Sequence, residues 1–235
     1  MEFEDFIYND VMINDFQNGE KVHLCLSEGQ RNCLNSFISN NDILIKKDRC
    51  AGVTTILAVY IAYQMLHSSN NTFVYIAHNT PETVSFIAKV REIINDAIKR
   101  EYNTFYKIQE VRNNKQQLLL NNMNKLVCGT NSHQIFQNVN KINILIYDEV
   151  GFDKTKFIPL IETIRMYKSI KVTKTIFTLT EKEKGRYVYI PNNNVENHFK
   201  VNRNYYVVYS DTLPHYKEKI GQEYLYDKIK ELYEK

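Results

Sequence analysis

The chain is short of several things, and each shortage narrows its function. No stretch of the 235 residues approaches the ~20 consecutive apolar positions of a membrane-crossing helix, so no membrane role is expected. The opening Met1-Glu-Phe-Glu-Asp-Phe6 is acidic and lacks the basic and apolar regions of a secretion signal. Its four cysteines, Cys25, Cys33, Cys50 and Cys128, form no Cys-x-x-Cys pair, which argues against a zinc site and a disulfide framework and fits a reducing compartment. Charge of one sign is also lacking. At +3 the net charge by itself does not establish nucleic-acid binding. There are no internal repeats and no low-complexity tracts. The 27 asparagines, with abundant Ile and Lys, reflect an A+T-rich coding sequence, so Asn and Lys counts carry no functional weight.

Two segments about ninety residues apart carry most of the information. The first is Ile43-Leu-Ile-Lys-Lys-Asp-Arg-Cys-Ala-Gly-Val-Thr-Thr55, which reads as a buried strand, a tight loop and the start of a helix. The second is Ile142-Asn-Ile-Leu-Ile-Tyr-Asp-Glu149, a buried strand ending in two carboxylates. Such a pair describes a P-loop nucleotide site. Backbone N–H groups receive phosphate, a hydroxyl and an aspartate hold Mg²⁺, and a glutamate activates the attacking water. One expected residue is missing. Val53 stands where the motif's lysine belongs.

The rest of the chain frames these segments. Residues 1–20 read as irregular or weakly helical. A helix is expected from Ser27, its N-cap, with Leu34, Phe37 and Ile38 on one face. Thr54 to His67 is apolar almost all round, as a buried helix must be. Phe73–Ala77 reads as a strand. Thr80 caps a long helix to about Tyr102, with Pro81 in its first turn. Residues 116–128 read as a hairpin with an Asn-rich turn. A helix over 156–167 and a strand over 172–179 follow. Beyond Thr180 the pattern weakens to strands near 187–190 and 204–209 and an amphipathic helix over 217–235. Strands alternating with helices predict an α/β fold, a mainly parallel sheet with helices on both faces. The division expected is a P-loop core over 1–190, with an N-terminal extension over 1–23, and a small C-terminal appendage over 191–235 packed on it. Asp42 to Lys46 reads as a short apolar strand, and ligands of such sheets bind beyond the carboxyl ends of the strands, so the loops after Lys46 and Tyr147 and the one around Thr178 should converge.

Candidate site residues follow from these roles. Gly52 permits close approach of backbone to phosphate, and the loop Lys47, Arg49, Cys50, Ala51, Gly52, Val53, Thr54 and Thr55 would wrap the nucleotide. Thr54 and Asp148 are the Mg²⁺ candidates, and Glu149 is the candidate for water activation. Lys47 at the front of the loop, or Arg49 two residues on, can replace the missing cation. Gln30, shortly before the first strand, is placed to read an adenine edge. Thr178 and Thr180 lie where a neighbouring strand senses the γ-phosphate. Cys50 has nothing nearby that marks it as a nucleophile.

The order of these features resembles the ATPase domain of the large terminase subunit, the DNA-packaging motor of tailed phages and related viruses. The resemblance covers roughly residues 24–190. It rests on Gln30, Lys47–Thr55, Val127-Cys-Gly-Thr-Asn-Ser132, Ile144-Leu-Ile-Tyr-Asp-Glu-Val-Gly-Phe152 and Ile176-Phe-Thr-Leu-Thr180. It implies that Arg49 and Lys47 are the loop cations. It gives Asp148 and Glu149 the Mg²⁺ and catalytic roles, and Thr178 and Thr180 the coupling of hydrolysis to movement. It also implies ATP and Mg²⁺ as cofactors, double-stranded DNA, a portal protein and a small terminase subunit as partners, a homo-oligomeric ring as the active form, and the cytoplasm of an infected host cell as the location. Large terminases continue into a nuclease domain. Only about 55 residues follow Thr180 here, so no DNA cleavage is expected of this chain. Two other readings fit the same residues: a degenerate P-loop module acting through protein contacts, for which Val53 speaks, and a helicase-like translocase.

Overall fold

The computed structural model describes residues 3–14, 19–39, 42–47, 51–99, 108–130, 133–136, 139–149, 171–180 and 205–210. Ten strands and four α-helices are found among them. They are α1 (Phe3–Asp10), β1 (Met12–Asn14), β2 (Lys21–His23), α2 (Glu28–Ser39), β3 (Asp42–Lys47), α3 (Val53–His67), β4 (Thr72–Ala77), α4 (Thr80–Lys99), β5 (Glu110–Asn113), β6 (Gln117–Leu120), β7 (Lys125–Thr130), β8 (Lys141–Tyr147), β9 (Lys171–Thr180) and β10 (Tyr205–Ser210). β1 and β2 form a small antiparallel ribbon, and the other eight strands form one sheet in the order β10-β3-β9-β8-β4-β7-β6-β5. The six strands from β10 to β7 run parallel, and β6 and β5 add an antiparallel edge.

Burial follows strand alternation. On one face, Ile43, Ile45, Phe73, Tyr75, Ile144, Ile146 and Ile176 join a core cluster with α3. On the other, Val74, Ile76, Leu145, Tyr147 and Phe177 are buried as well. Both faces of the central strands are therefore covered, which explains their nearly continuous apolar runs. α3 is apolar all round for the same reason. Ten of its residues, from Val53 to Leu66, are buried.

The far end of α3 is tied down by the turn of the β6–β7 hairpin. Asn124, fully buried, donates through Nδ2 to the carbonyls of Met65 (2.8 Å) and Ser68 (2.7 Å). Asn122 donates to the same two carbonyls at 2.8 and 3.0 Å. These bonds satisfy carbonyls that a helix end leaves open, so two of the asparagines discounted on composition have a structural role.

The N-terminal segment, read as irregular or weakly helical, is helical over α1, which buries Phe3, Phe6 and Ile7, and Phe3 and Phe6 pack on Tyr63 of α3 with ring centroids 4.6 and 5.5 Å apart. Two local expectations are corrected. Ile38 of α2 is 58% exposed, and Cys33 takes its place beside Leu34 and Phe37 in the core. The cap of α4 is Asn79, not Thr80; its Oδ1 accepts the Glu82 N–H at 2.9 Å. The helices expected over 156–167 and 217–235 and the strand over 187–190 lie outside the described residues. In the segment read as a C-terminal appendage, β10 pairs in parallel with β3, with Val207 beside Leu44.

Lys174 of β9 lies beneath α2 and α3. Its ammonium donates to the Phe37 carbonyl and to Tyr60 Oη (3.2 Å), above the Tyr60 ring. Burial pulls its pKa from 10.5 down to about 8. The unfolded chain therefore binds an extra proton between pH 8 and 10.5, and stability contributed at this site rises with pH across that window. Tyr60 still donates to the Phe37 carbonyl at 3.2 Å without the lysine. Lys174→Met is expected to melt higher than wild type at pH 7, with the gap narrowing as pH rises toward 10. A gap in melting temperature independent of pH would contradict this account.

Candidate functional site

The loop after β3 closes on α2. Ser27 and Gln30 form a reciprocal cap: Gln30 N donates to Ser27 Oγ at 3.3 Å, and Ser27 N donates to Gln30 Oε1 at 3.0 Å. The same Gln30 amide donates through Nε2 to the Ala51 carbonyl at 3.1 Å. The side chain read as an adenine contact thus pins the end of the loop to the first turn of α2. Gly52 follows at φ 75°, in the left-handed region, and a Cβ there would stand 2.5 Å from Gln30 Nε2. Only glycine meets both conditions. As the N-cap of α3 it has no side chain to bond the first N–H groups of the helix. Val53, the first helical residue, is 1% exposed and belongs to the core cluster.

Asp148 sits one residue past β8, 3% exposed. Its backbone N–H donates to the Ile76 carbonyl at 2.8 Å. Three hydroxyls from three elements converge on its carboxylate. Thr54 of α3 donates to Oδ2 at 2.9 Å, Tyr75 of β4 donates to Oδ2 at 2.8 Å, and Thr178 of β9 donates to Oδ1. Sheet register explains the meeting. Ile45 pairs with Thr178 and Tyr147 with Phe177, so Asp148 emerges beside Thr178 on the face that carries α3. Burial, reinforced by the Asp148 charge, raises the Tyr75 phenol far above its ordinary range, so it remains a donor. Its ring stacks on Phe86 of α4, centroids 3.6 Å apart.

Lys47 shares the face of Ile43 and Ile45 by alternation. Its ammonium is 3.7 Å from Asp148 Oδ1 and 3.6 Å from Glu149 Oε1, with the side chain 9% exposed. Glu149 has φ 57°, and its N–H donates to Thr178 Oγ1 at 2.8 Å. The left-handed backbone turns its side chain away from Asp148 and toward the end of β4, where its Oε2 lies 3.7 Å from His78 Nδ1. His78 Nδ1 is 2.9 Å from Glu82 Oε2. Burial, with Glu149 and Asp148 adding to it and His78 opposing, raises the Glu82 carboxyl.

The structure therefore brings together Lys47, Gly52, Thr54, Asp148, Glu149 and Thr178 at the carboxyl edge of the parallel strands. Thr55 turns elsewhere, its Oγ1 accepting from Lys89 of α4 at 2.9 Å. Arg49 and Cys50 lie outside the described residues, and of Thr180 and Lys46 only the backbone is described. Sequence reasoning missed Tyr75, His78, Glu82 and Lys89. Tyr75 looks like any core aromatic, and Lys89 like any exposed helical lysine. Burial lowers the Lys89 pKa, and the charges of Glu92 and Asp148 oppose that shift. For His78 a signal existed: it stands immediately past a buried strand, where ligand-binding loops begin.

No family model matches the chain, and no curated protein matches its sequence. Solved structures do. The large terminase of bacteriophage HK97 aligns with a TM-score of 0.59 at 10% identity, over 94% of this chain and 45% of that one. The large terminase of a thermophilic bacteriophage, in complex with ATP-γ-S, gives 0.55 at 12%, over 85% and 51%. The ATPase domain of the Thermus phage P74-26 large terminase gives 0.52 at 12%, over 79% and 80%. The chain thus spans about half the length of the whole terminases and about four fifths of the isolated domain. At such identities the likeness concerns the fold, and the fold of this chain is that of a large terminase ATPase domain.

Proposed function

We propose that this chain binds and hydrolyses ATP as the motor domain of a viral DNA-packaging machine, with Lys47 in place of the usual loop lysine. One observation carries the reading. Thr54, at the start of the helix that follows the loop, bonds Asp148, and Lys47 stands within 4 Å of both Asp148 and Glu149. A hydroxyl, two carboxylates and a cation at one helix N-terminus form the set that phosphoryl transfer to water requires. The thermophilic phage's terminase, which shares the fold, was captured with ATP-γ-S.

In this reading the N–H groups at the start of α3 and the Lys47 ammonium bind the phosphates. Glu149 orients and deprotonates the attacking water. The donor set suits Mg²⁺, which prefers oxygen ligands and keeps several waters. Thr54 would bind it through Oγ1, and Asp148, already holding three hydroxyls, would bind it through water. When bound, it would neutralise charge developing on the phosphate oxygens. Arg49 would serve as a second loop cation. Thr178 bonds both Asp148 and the Glu149 N–H, so movement of β9 would be felt at both carboxylates. Thr180 would pass that movement along the same strand. Double-stranded DNA, a portal protein, a small terminase subunit, a ring of copies and the cytoplasm of an infected cell complete the reading. DNA cleavage is not part of it. The degenerate-module reading has one specific observation behind it, the buried apolar Val53.

Two variants test the proposal. Glu149→Gln should leave ATP affinity nearly unchanged and slow turnover by about 10²–10⁴-fold. Turnover close to wild type would remove Glu149 from the mechanism.

Lys47→Ala should weaken ATP binding or hydrolysis roughly tenfold to a hundredfold, the worth of a charged hydrogen bond, and Lys46→Ala far less. Equilibrium binding of a fluorescent ATP analogue and steady-state phosphate release measure both. Equal effects would reject Lys47 as the displaced cation. A wild-type chain that neither binds nor turns over ATP would favour the degenerate module.

A further inference from the structure

β4 and β8 run in parallel register, Ile76 beside Tyr147. The residues two beyond each, His78 and Glu149, therefore leave the sheet side by side. The protonation of His78 can be worked out from its neighbours. Asn79 Oδ1 accepts the Glu82 backbone N–H at 2.9 Å, and a backbone N–H only donates, so the orientation of the amide is settled. Its Nδ2 then faces His78 Nε2 at 2.7 Å and donates to it. A neutral imidazole whose Nε2 accepts carries its proton on Nδ1. That N–H stands 2.9 Å from Glu82 Oε2 and 3.7 Å from Glu149 Oε2.

His78, Glu82 and Glu149 each bring one potential ligand atom within 4.8 Å of the others, a spacing open to a metal ion. The ring nitrogen nearest both carboxylates already holds a proton, however, and the other is taken by Asn79. The cluster is a donor between two acceptors.

We infer that His78 is a positioning residue for Glu149, its Nδ1–H drawing Oε2 toward the β4–α4 edge and so aiming the opposite oxygen, Oε1, toward Lys47. This rests on Glu149 being the water-activating carboxylate. Glu149 lies 3.6 Å from the Lys47 ammonium and 3.7 Å from the imidazole, both too long for hydrogen bonds. Both donors flank the carboxylate, and a small pivot would bring Oε2 within hydrogen-bond reach of the imidazole. Asn79, at the start of α4, holds the imidazole from the other side, and Glu82 Oε2 of the same helix lies 2.9 Å from Nδ1. The orientation of the carboxylate is thereby tied to the N-terminus of a 20-residue helix. Glu149 acts on water and not on the nucleotide, so loss of the donor should appear in kcat and spare KM.

The test compares His78→Ala with His78→Asn. The asparagine amide branches from the same carbon as Nδ1 and can present an N–H at that point. The alanine variant should lose roughly ten- to a hundredfold in kcat, with KM for ATP within about twofold of wild type, and the asparagine variant should recover most of the loss. An unchanged kcat in the alanine variant, or an asparagine variant as impaired as alanine, overturns the inference. A second measurement does not depend on turnover. Imidazole ¹⁵N shifts, recorded at a pH where the ring is neutral, should show His78 protonated at Nδ1, and the Nε2–H form would overturn the inference whatever the activity. If Glu149→Gln retains full turnover while His78 keeps its Nδ1 proton, the reading of Glu149 fails and the His78 geometry stands. If Glu149→Gln is inactive and His78→Ala is not, the inference alone fails.

Discussion

A single buried carboxylate organises this fold. Asp148 is 3% exposed, and an ionised group so placed is costly unless its oxygens are bonded. The bonds come from Thr54, Tyr75 and Thr178, on α3, β4 and β9, with the Lys47 ammonium 3.7 Å away. No two of those hydroxyls share an element. Satisfying one side chain therefore requires the helix after the loop and three adjacent strands to be in place together. Removal of the carboxylate would also leave three partly or fully buried hydroxyls to find other acceptors, the more expensive half of breaking such a network.

Around that centre, charge is arranged in order. Lys47 faces both carboxylates from one side, and His78 faces Glu149 from the other. Lys89 stands below, bonded to Thr55 and within reach of the Asp148 field. Val53 makes sense within the same arrangement. It begins a helix that is buried on every side, and a long cationic side chain there would have to leave the core cluster. In the proposed reading the ammonium would come instead from the end of β3, where strand alternation already aims position 47 at the site.

Much of this was legible because it depends on local pattern. Continuous apolar runs marked β3, β4, β8 and β9, the all-round apolar stretch marked α3, and the sheet carries all four strands with Gly52, Asp148 and Thr178 at one edge. Elements with few apolar residues were harder. α1 was legible only as irregular or weakly helical, because its anchors, Phe3, Phe6 and Ile7, need the aromatic surface of Tyr63 and His67 to become a core. Ile38 was placed on the wrong face because helical spacing defines a stripe and not its limits; Cys33 lies at the centre of that stripe.

By itself the sequence determined the alternation of strands and helices, the loop that ends in Gly52 and the carboxylates that end β8, because periodicity and turn chemistry act over a few residues. Only the tertiary structure decided that β9 lies between β3 and β8, which makes Thr178 a partner of Asp148. It decided that Gln30 holds the loop end, since that contact joins residues 21 positions apart. It also decided that His78 and Glu149 stand together. Their encounter depends on the register of two strands separated by a helix and three further strands, and no short-range pattern in the chain encodes such a register.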